Sequence, residues 1–186
     1  MKPSRRSTMV AGAVAVTVTG ITVASLVVAV GSYASTNATK VLDVRTDVRD
    51  LQPGSPGPLD HARARVELLT YKGTSRVILR VRDIDPAVAG HTLGAHLHTG
   101  PCVTGDGAAA GPHYNTDAIA GRVPATVSSQ TEIWLDFTVS PTGSGTARAV
   151  VPFVPRPGNR SIVIHQDPTD HHGVAGPRLA CVPVSW

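Results

Sequence analysis

Two histidines stand one residue apart in the segment Gly94-Ala95-His96-Leu97-His98. On a β-strand, successive side chains point to opposite faces. Both imidazoles would therefore share one face, and Leu97 would point the other way, into a core. Neutral imidazoles carried ~6–7 Å apart at the backbone can converge on one metal ion, and imidazole suits copper, zinc, iron and nickel. A His-x-His pair on its own also occurs in purely structural strands. His113 follows in Gly111-Pro112-His113-Tyr114-Asn115, a stiff turn. His165 closes the apolar run Ile162-Val163-Ile164, where a packing role is equally compatible with its position. Together the four supply imidazole nitrogens and no thiolate.

The elements that would position these groups are short strands and turns. Lys40–Val48 alternates apolar and polar residues. Ala62–Leu69 and Arg76–Val81 flank a turn around Gly73. Leu93–His98 is a further strand, and a Gly/Ala/Pro-rich loop runs from Thr99 to about Val127. Thr131–Val139 and Thr146–Phe153 flank Pro141-Thr142-Gly143-Ser144-Gly145, and Ser161–His165 and Leu179–Val184 complete the set. Eight strands without a 3.6-residue period predict one antiparallel sandwich or barrel. Composition agrees: 18 glycines and 15 prolines in 186 residues favour turns over long helices, and 41% apolar residues exclude wholesale disorder.

The amino terminus reads differently. Lys2, Arg5 and Arg6 precede a stretch without charge from Ser7 to Thr39, Ala/Val-rich over residues 8–30, and then Ser32-Tyr33-Ala34, a small-x-small cleavage signal. Residues 1–34 are expected to be a signal peptide or, uncleaved, an anchor spanning a membrane through residues 8–30. Residues 35–39 would be a short linker and 40–186 the β domain. The chain is thus expected to be exported, and secreted or held at the cell surface. Its only cysteines, Cys102 and Cys181, then read as one disulfide. Closing a loop of ~80 residues would stabilise the fold by roughly 4 kcal/mol on the chain-entropy model. Three of the 17 basic side chains lie in the leader, which leaves the domain near neutrality. That balance argues against nucleic-acid binding, which needs clustered Lys and Arg.

These segments, taken together, resemble the copper/zinc superoxide dismutase family. Gly94-Ala95-His96-Leu97-His98 is similar to the strand carrying two copper ligands, and Gly111-Pro112-His113-Tyr114-Asn115 to the segment with the histidine that bridges copper and zinc. Ile164-His165 resembles the strand end with the fourth copper ligand. Gly173-Val174-Ala175-Gly176-Pro177-Arg178-Leu179-Ala180-Cys181 resembles the C-terminal signature, with an active-site arginine three residues before a disulfide cysteine. Cys102 sits where that cysteine's partner is expected. The resemblance implies an all-β, eight-stranded antiparallel Greek-key sandwich or barrel with long metal-site loops. It also implies one copper per chain on His96, His98, His113 and His165, superoxide as substrate, and Arg178 docking the anion.

The departures from the family pattern carry their own expectations. No histidine lies between His113 and His165, and the only acids there are Asp117, Glu132 and Asp136, a poor match for a site built mostly of imidazole. Zinc is therefore expected to be absent, as in the copper-only bacterial-type branch. His113 would then need another acceptor to fix its ring, and Glu132 is the first candidate and Asp136 the second. Only Gln166 to Pro177 separates His165 from Arg178, a shorter loop than the family's, which should leave the metal more open. His61, His91, His171 and His172 are expected to be surface residues. The function expected is copper-dependent dismutation of superoxide to dioxygen and hydrogen peroxide; the alternative is a non-catalytic extracytoplasmic module that buffers copper.

Overall fold

The structure is a computed structural model that describes residues 38–186. The leader expected over residues 1–34 lies outside the described residues, and Thr39, expected in the linker, already opens the first strand. Ten strands follow: β1 (Thr39–Asp47), β2 (Arg49–Asp50), β3 (Arg63–Tyr71), β4 (Thr74–Arg82), β5 (Thr92–Leu93), β6 (Ala95–His98), β7 (Phe137–Thr138), β8 (Gly145–Val151), β9 (Asn159–His165) and β10 (Arg178–Ser185). Eight form two four-stranded antiparallel sheets, ordered β1-β3-β4-β8 and β2-β10-β9-β6, and β5 and β7 pair as a ribbon. After β4 the chain crosses to the second sheet for β6, and β8 returns beside β4, giving a Greek-key sandwich.

Period-two alternation makes the core. Ala64, Val66 and Leu68 of β3 and Val77, Leu79 and Val81 of β4 turn inward against Leu97 of β6, Ile162 and Ile164 of β9 and Val182 of β10. Fully burying each Val, Leu or Ile side chain is worth roughly 1.5–3 kcal/mol.

Three strands differ from their sequence expectation. Leu93–His98 splits at Gly94, whose amide donates to Asp167 O (2.9 Å) and whose carbonyl accepts from His165 N (2.7 Å). The backbone there answers to β9 and its following loop, which separates β5 from β6. Of Thr131–Val139 only β7 is regular; Ile133 to Leu135 instead runs along the open edge of β6, with Leu97 N donating to Ile133 O (3.2 Å) and Leu135 N to Ala95 O (2.7 Å). The expected Thr146–Phe153 strand ends at Val151, because Pro152 has no amide to continue the ladder. The two-residue β2 was too short to leave a period. The long loop after β6 also holds a 3-10 turn (Gly107–Ala110) and one helical turn, α1 (Thr116–Ile119), capped by Asp106 and Asn115.

Candidate metal centre

The centre is built on β6, the edge strand of its sheet. His96 and His98 alternate with core-facing Leu97, so both rings stand on the outer face, with centroids 6.4 Å apart. The chain beyond β6 returns to the same edge: Tyr114 N donates to Leu97 O (2.7 Å) and Thr99 N to Pro112 O (3.0 Å), which brings His113 beside His98. Buried Tyr114 holds this return, accepting from Arg156 N through its hydroxyl (2.7 Å) under the Arg160 guanidinium. His165 arrives at the end of β9, paired antiparallel with β6. One nitrogen from each of the four rings lies within 4.8 Å of the others. Among the described residues this is the only such cluster of histidine, cysteine or carboxylate groups.

Each ring's other nitrogen is fixed, which decides its tautomer. His98 Nδ1 donates to Gly111 O (2.9 Å) and His165 Nδ1 to Gly176 O (3.0 Å). Both carbonyls belong to glycines in the left-handed region, φ 69° and 72°, a conformation that side-chain-bearing residues adopt only with strain. His113 Nδ1 donates to Glu132 Oε2 (2.8 Å). The Thr169 hydroxyl donates to Asp136 Oδ1 (2.7 Å), so its oxygen accepts from His96 Nε2 (2.7 Å). The lone pairs left over, on His96 Nδ1, His98 Nε2, His113 Nε2 and His165 Nε2, are those that face one another.

Three of these nitrogens, on His96, His98 and His165, are fully buried with no hydrogen-bond partner. Burying an unpaired polar atom costs about 1–3 kcal/mol. Three at one point make sense when a cation takes the lone pairs, so the donor set fits a metal of imidazole preference. Burial, reinforced by the neighbouring imidazoles, pushes His96 down to about 2 and His98 to about 3, and lowers His165 as well. These three rings are neutral at physiological pH, and a metal need displace no proton from them.

Glu132 is 3% exposed and takes three donors: His113 Nδ1 and Trp134 Nε1 (2.9 Å) on one oxygen, Asn115 Nδ2 (2.9 Å) on the other. Burial opposes its charge, but the three bonds outweigh it and hold the carboxyl below the ordinary carboxylate range. Asn115 works twice, since its Oδ1 caps α1 through the Asp117 and Ala118 amides. Asp136, the other acceptor considered for His113, instead accepts from Ala95 N (3.1 Å), Thr169 N (2.7 Å) and the Thr169 hydroxyl, so it serves His96. Trp134, Asn115 and Thr169 were not anticipated. The requirement that His96 present one nitrogen and anchor the other was the signal that could have called for Thr169.

Arg178 faces His165 across the β9–β10 ladder. Its guanidinium donates to Gly107 O and to Gly111 O (2.8 Å), the carbonyl that also fixes His98. It is part-exposed and lines a shallow depression with Gly107, Gly111 and Pro112. The Cys102–Cys181 disulfide ties the loop after β6 to β10, three residues from Arg178. His61, His91, His171 and His172 are exposed.

A Greek-key sandwich with four converging imidazoles, three of them buried, and an arginine beside them is an architecture that could hold a metal ion. The copper/zinc superoxide dismutase family model matches residues 61–184, and the chain belongs to that family. No curated protein matches the sequence. Among solved structures, it is similar to the clock protein EA4, with 17% identity and a TM-score of 0.50 over 67% of this chain and 87% of that one. It is also similar to a double mutant of a SOD-like protein from Bacillus subtilis, with 17% identity and a TM-score of 0.52 over 76% of this chain and 97% of that one. At this identity the likeness shows the fold.

Proposed function

We propose that this protein is an exported superoxide dismutase that works with one copper ion per chain, held by His96, His98, His113 and His165, and without zinc. The observation that carries the reading is the set of three buried, unpartnered imidazole nitrogens pointing at one place together with that of His113. A bound copper ion would supply the one-electron couple that oxidises one superoxide to dioxygen and reduces a second to hydrogen peroxide, two protons being taken up. The chain's own residues prepare the place. Glu132 orients His113 and sets a negative charge against its Nδ1. Thr169 and Asp136 orient His96. Arg178, permanently protonated, offers the positive charge that draws in and holds a small anion beside the histidines. Export is supported by the leader-like amino terminus and by the disulfide, which persists in oxidising compartments.

The test joins metal analysis to activity. Protein loaded with both metals should retain about one copper and no zinc after dialysis against a mild chelator, and should dismutate superoxide. Arg178→Ala should slow the reaction while copper content stays the same, and Arg178→Lys should do less harm. Stoichiometric zinc beside copper would overturn the single-metal reading. Full copper with no activity would favour copper buffering, and activity unchanged in Arg178→Ala would overturn the role given to Arg178.

A further inference from the structure

The outer face of the first sheet is strongly basic. Its four strands carry eight cations, with Lys40 and Arg45 on β1, Arg63 and Arg65 on β3, three arginines on β4 and Arg148 on β8, against three carboxylates, Asp43, Asp47 and Glu67. Because the alternate residues of these strands fill the core, the charged ones all project outward. The described residues as a whole are close to neutral, so the rest of the domain is acidic by nearly as much. The cations are also concentrated. Register places Arg45, Arg65 and Arg80 directly opposite one another across three strands, with Arg63 opposite Arg82 in the adjoining row. Like charges directly opposite on a sheet are destabilising, so fold stability gives no reason for such rows.

Internal pairing only partly compensates. Asp43 takes both branches of Arg65 (2.9 Å each), and Glu67 takes Arg80 (2.6 Å). Arg63 reaches Asp47 only at 3.4 Å and Arg82 reaches Asp83 at 3.8 Å, with side chains 58% and 65% exposed. Arg45 makes no ion pair among the described residues. These three line an open groove together with Asp47, the paired Arg65 and Arg80, and the outward-facing Thr146. No aromatic ring lines it, so it has no platform for stacking nucleic-acid bases. It is concave and presents no large apolar side chain for insertion into a bilayer. Guanidinium forks for carboxylate or sulfate, with the Thr146 hydroxyl beside them for a sugar hydroxyl, match a different ligand.

We propose that this groove docks a linear acidic polysaccharide, laid across the strands over Arg45, Arg63 and Arg82. The metal-ligating histidines stand on the outer face of the other sheet, so a protein held in this way keeps its metal centre turned to solvent. Docking would concentrate the domain on an anionic matrix or cell surface without a membrane anchor.

Binding of the purified, disulfide-intact protein to dextran sulfate decides the matter, with neutral dextran, single-stranded DNA and phosphatidylglycerol vesicles as comparison probes. Dextran sulfate should bind in a salt-sensitive way, and tighter than the other three. The double variant Arg45→Ser/Arg82→Ser should bind about tenfold more weakly, as two exposed ion contacts are lost. Lys72→Ser/Arg156→Ser, which removes the same charge elsewhere, should bind like wild type. The proposal is overturned by dextran sulfate binding no better than neutral dextran, by equal losses in the two double variants, or by DNA or vesicles binding as tightly as dextran sulfate. Because the wild-type comparison needs no variant, a folding defect in either double variant leaves a decisive result.

Discussion

Replacing Glu132 by glutamine isolates the charge beside His113 with almost no change of shape. In the wild type three donors converge on the carboxylate, from His113, Trp134 and Asn115. A glutamine whose oxygen stays toward His113 and Trp134 must aim its NH2 at Asn115 Nδ2, donor against donor. Asn115 cannot turn to help, because its Oδ1 is engaged by the Asp117 and Ala118 amides. One buried donor left unpaired costs about 1–3 kcal/mol. The two bonds that remain lose their charge assistance, roughly half their strength, for about 1 kcal/mol more. The expected loss in the metal-free protein is therefore about 2–4 kcal/mol, which a domain stable by roughly 5–15 kcal/mol survives. Alanine would strand all three donors and risk unfolding, so glutamine is the informative change. Copper affinity should fall 10–100-fold, the usual effect of losing the group that orients a ligand histidine. Urea unfolding of the metal-free protein and chelator competition for copper measure the two effects separately. A glutamine variant within about 0.5 kcal/mol of wild type, with unchanged copper affinity, would refute the assignment of Glu132 as the group that orients His113.

Thr169→Val removes the acceptor of His96 Nε2 and should weaken copper binding about tenfold, while Thr169→Ser, which keeps the hydroxyl, should restore it; equal losses in both would mean that the hydroxyl is not what matters. Thiol labelling of unreduced, denatured protein should find no free cysteine, and Cys102→Ser/Cys181→Ser should lower stability by about 2–5 kcal/mol in urea unfolding, since the bridge spans a sequence separation of 79. Arg65 and then Lys40 hold the exposed Asp43 carboxyl well below the usual range. A lowered native pKa stabilises above the ordinary carboxylate value of about 4 and loses that effect as pH falls through the lowered value. Asp43→Asn should thus be slightly less stable than wild type at pH 7, with the difference closing in acid; a gap that widens on acidification would contradict the pairing.

The strand period alone places His96 and His98 on one face and Leu97 in the core, because alternation is local and needs no partner strand. Most of the expected strands were legible for the same reason, whereas the order of the histidine segments carried meaning only through the family resemblance. Glu132 could be singled out by elimination, as one of three acids between His113 and His165. What separated its role from that of Asp136 was tertiary: the segment around Ile133 lies irregularly along the open edge of β6, which sends Glu132 to His113 and Asp136 to Thr169. The period by itself puts Glu132 and Asp136 on one face, opposite core-facing Ile133 and Leu135, and does not say which histidine each one serves. The split at Gly94 was decided in the same way, by backbone bonds to residues some 70 positions away. Net charge hid the most. A near-neutral domain gave no sign of a basic face, because composition sums charges over the whole chain. Antiparallel register instead stacks chosen positions of distant strands side by side, and only there do Arg45, Arg65 and Arg80 become neighbours.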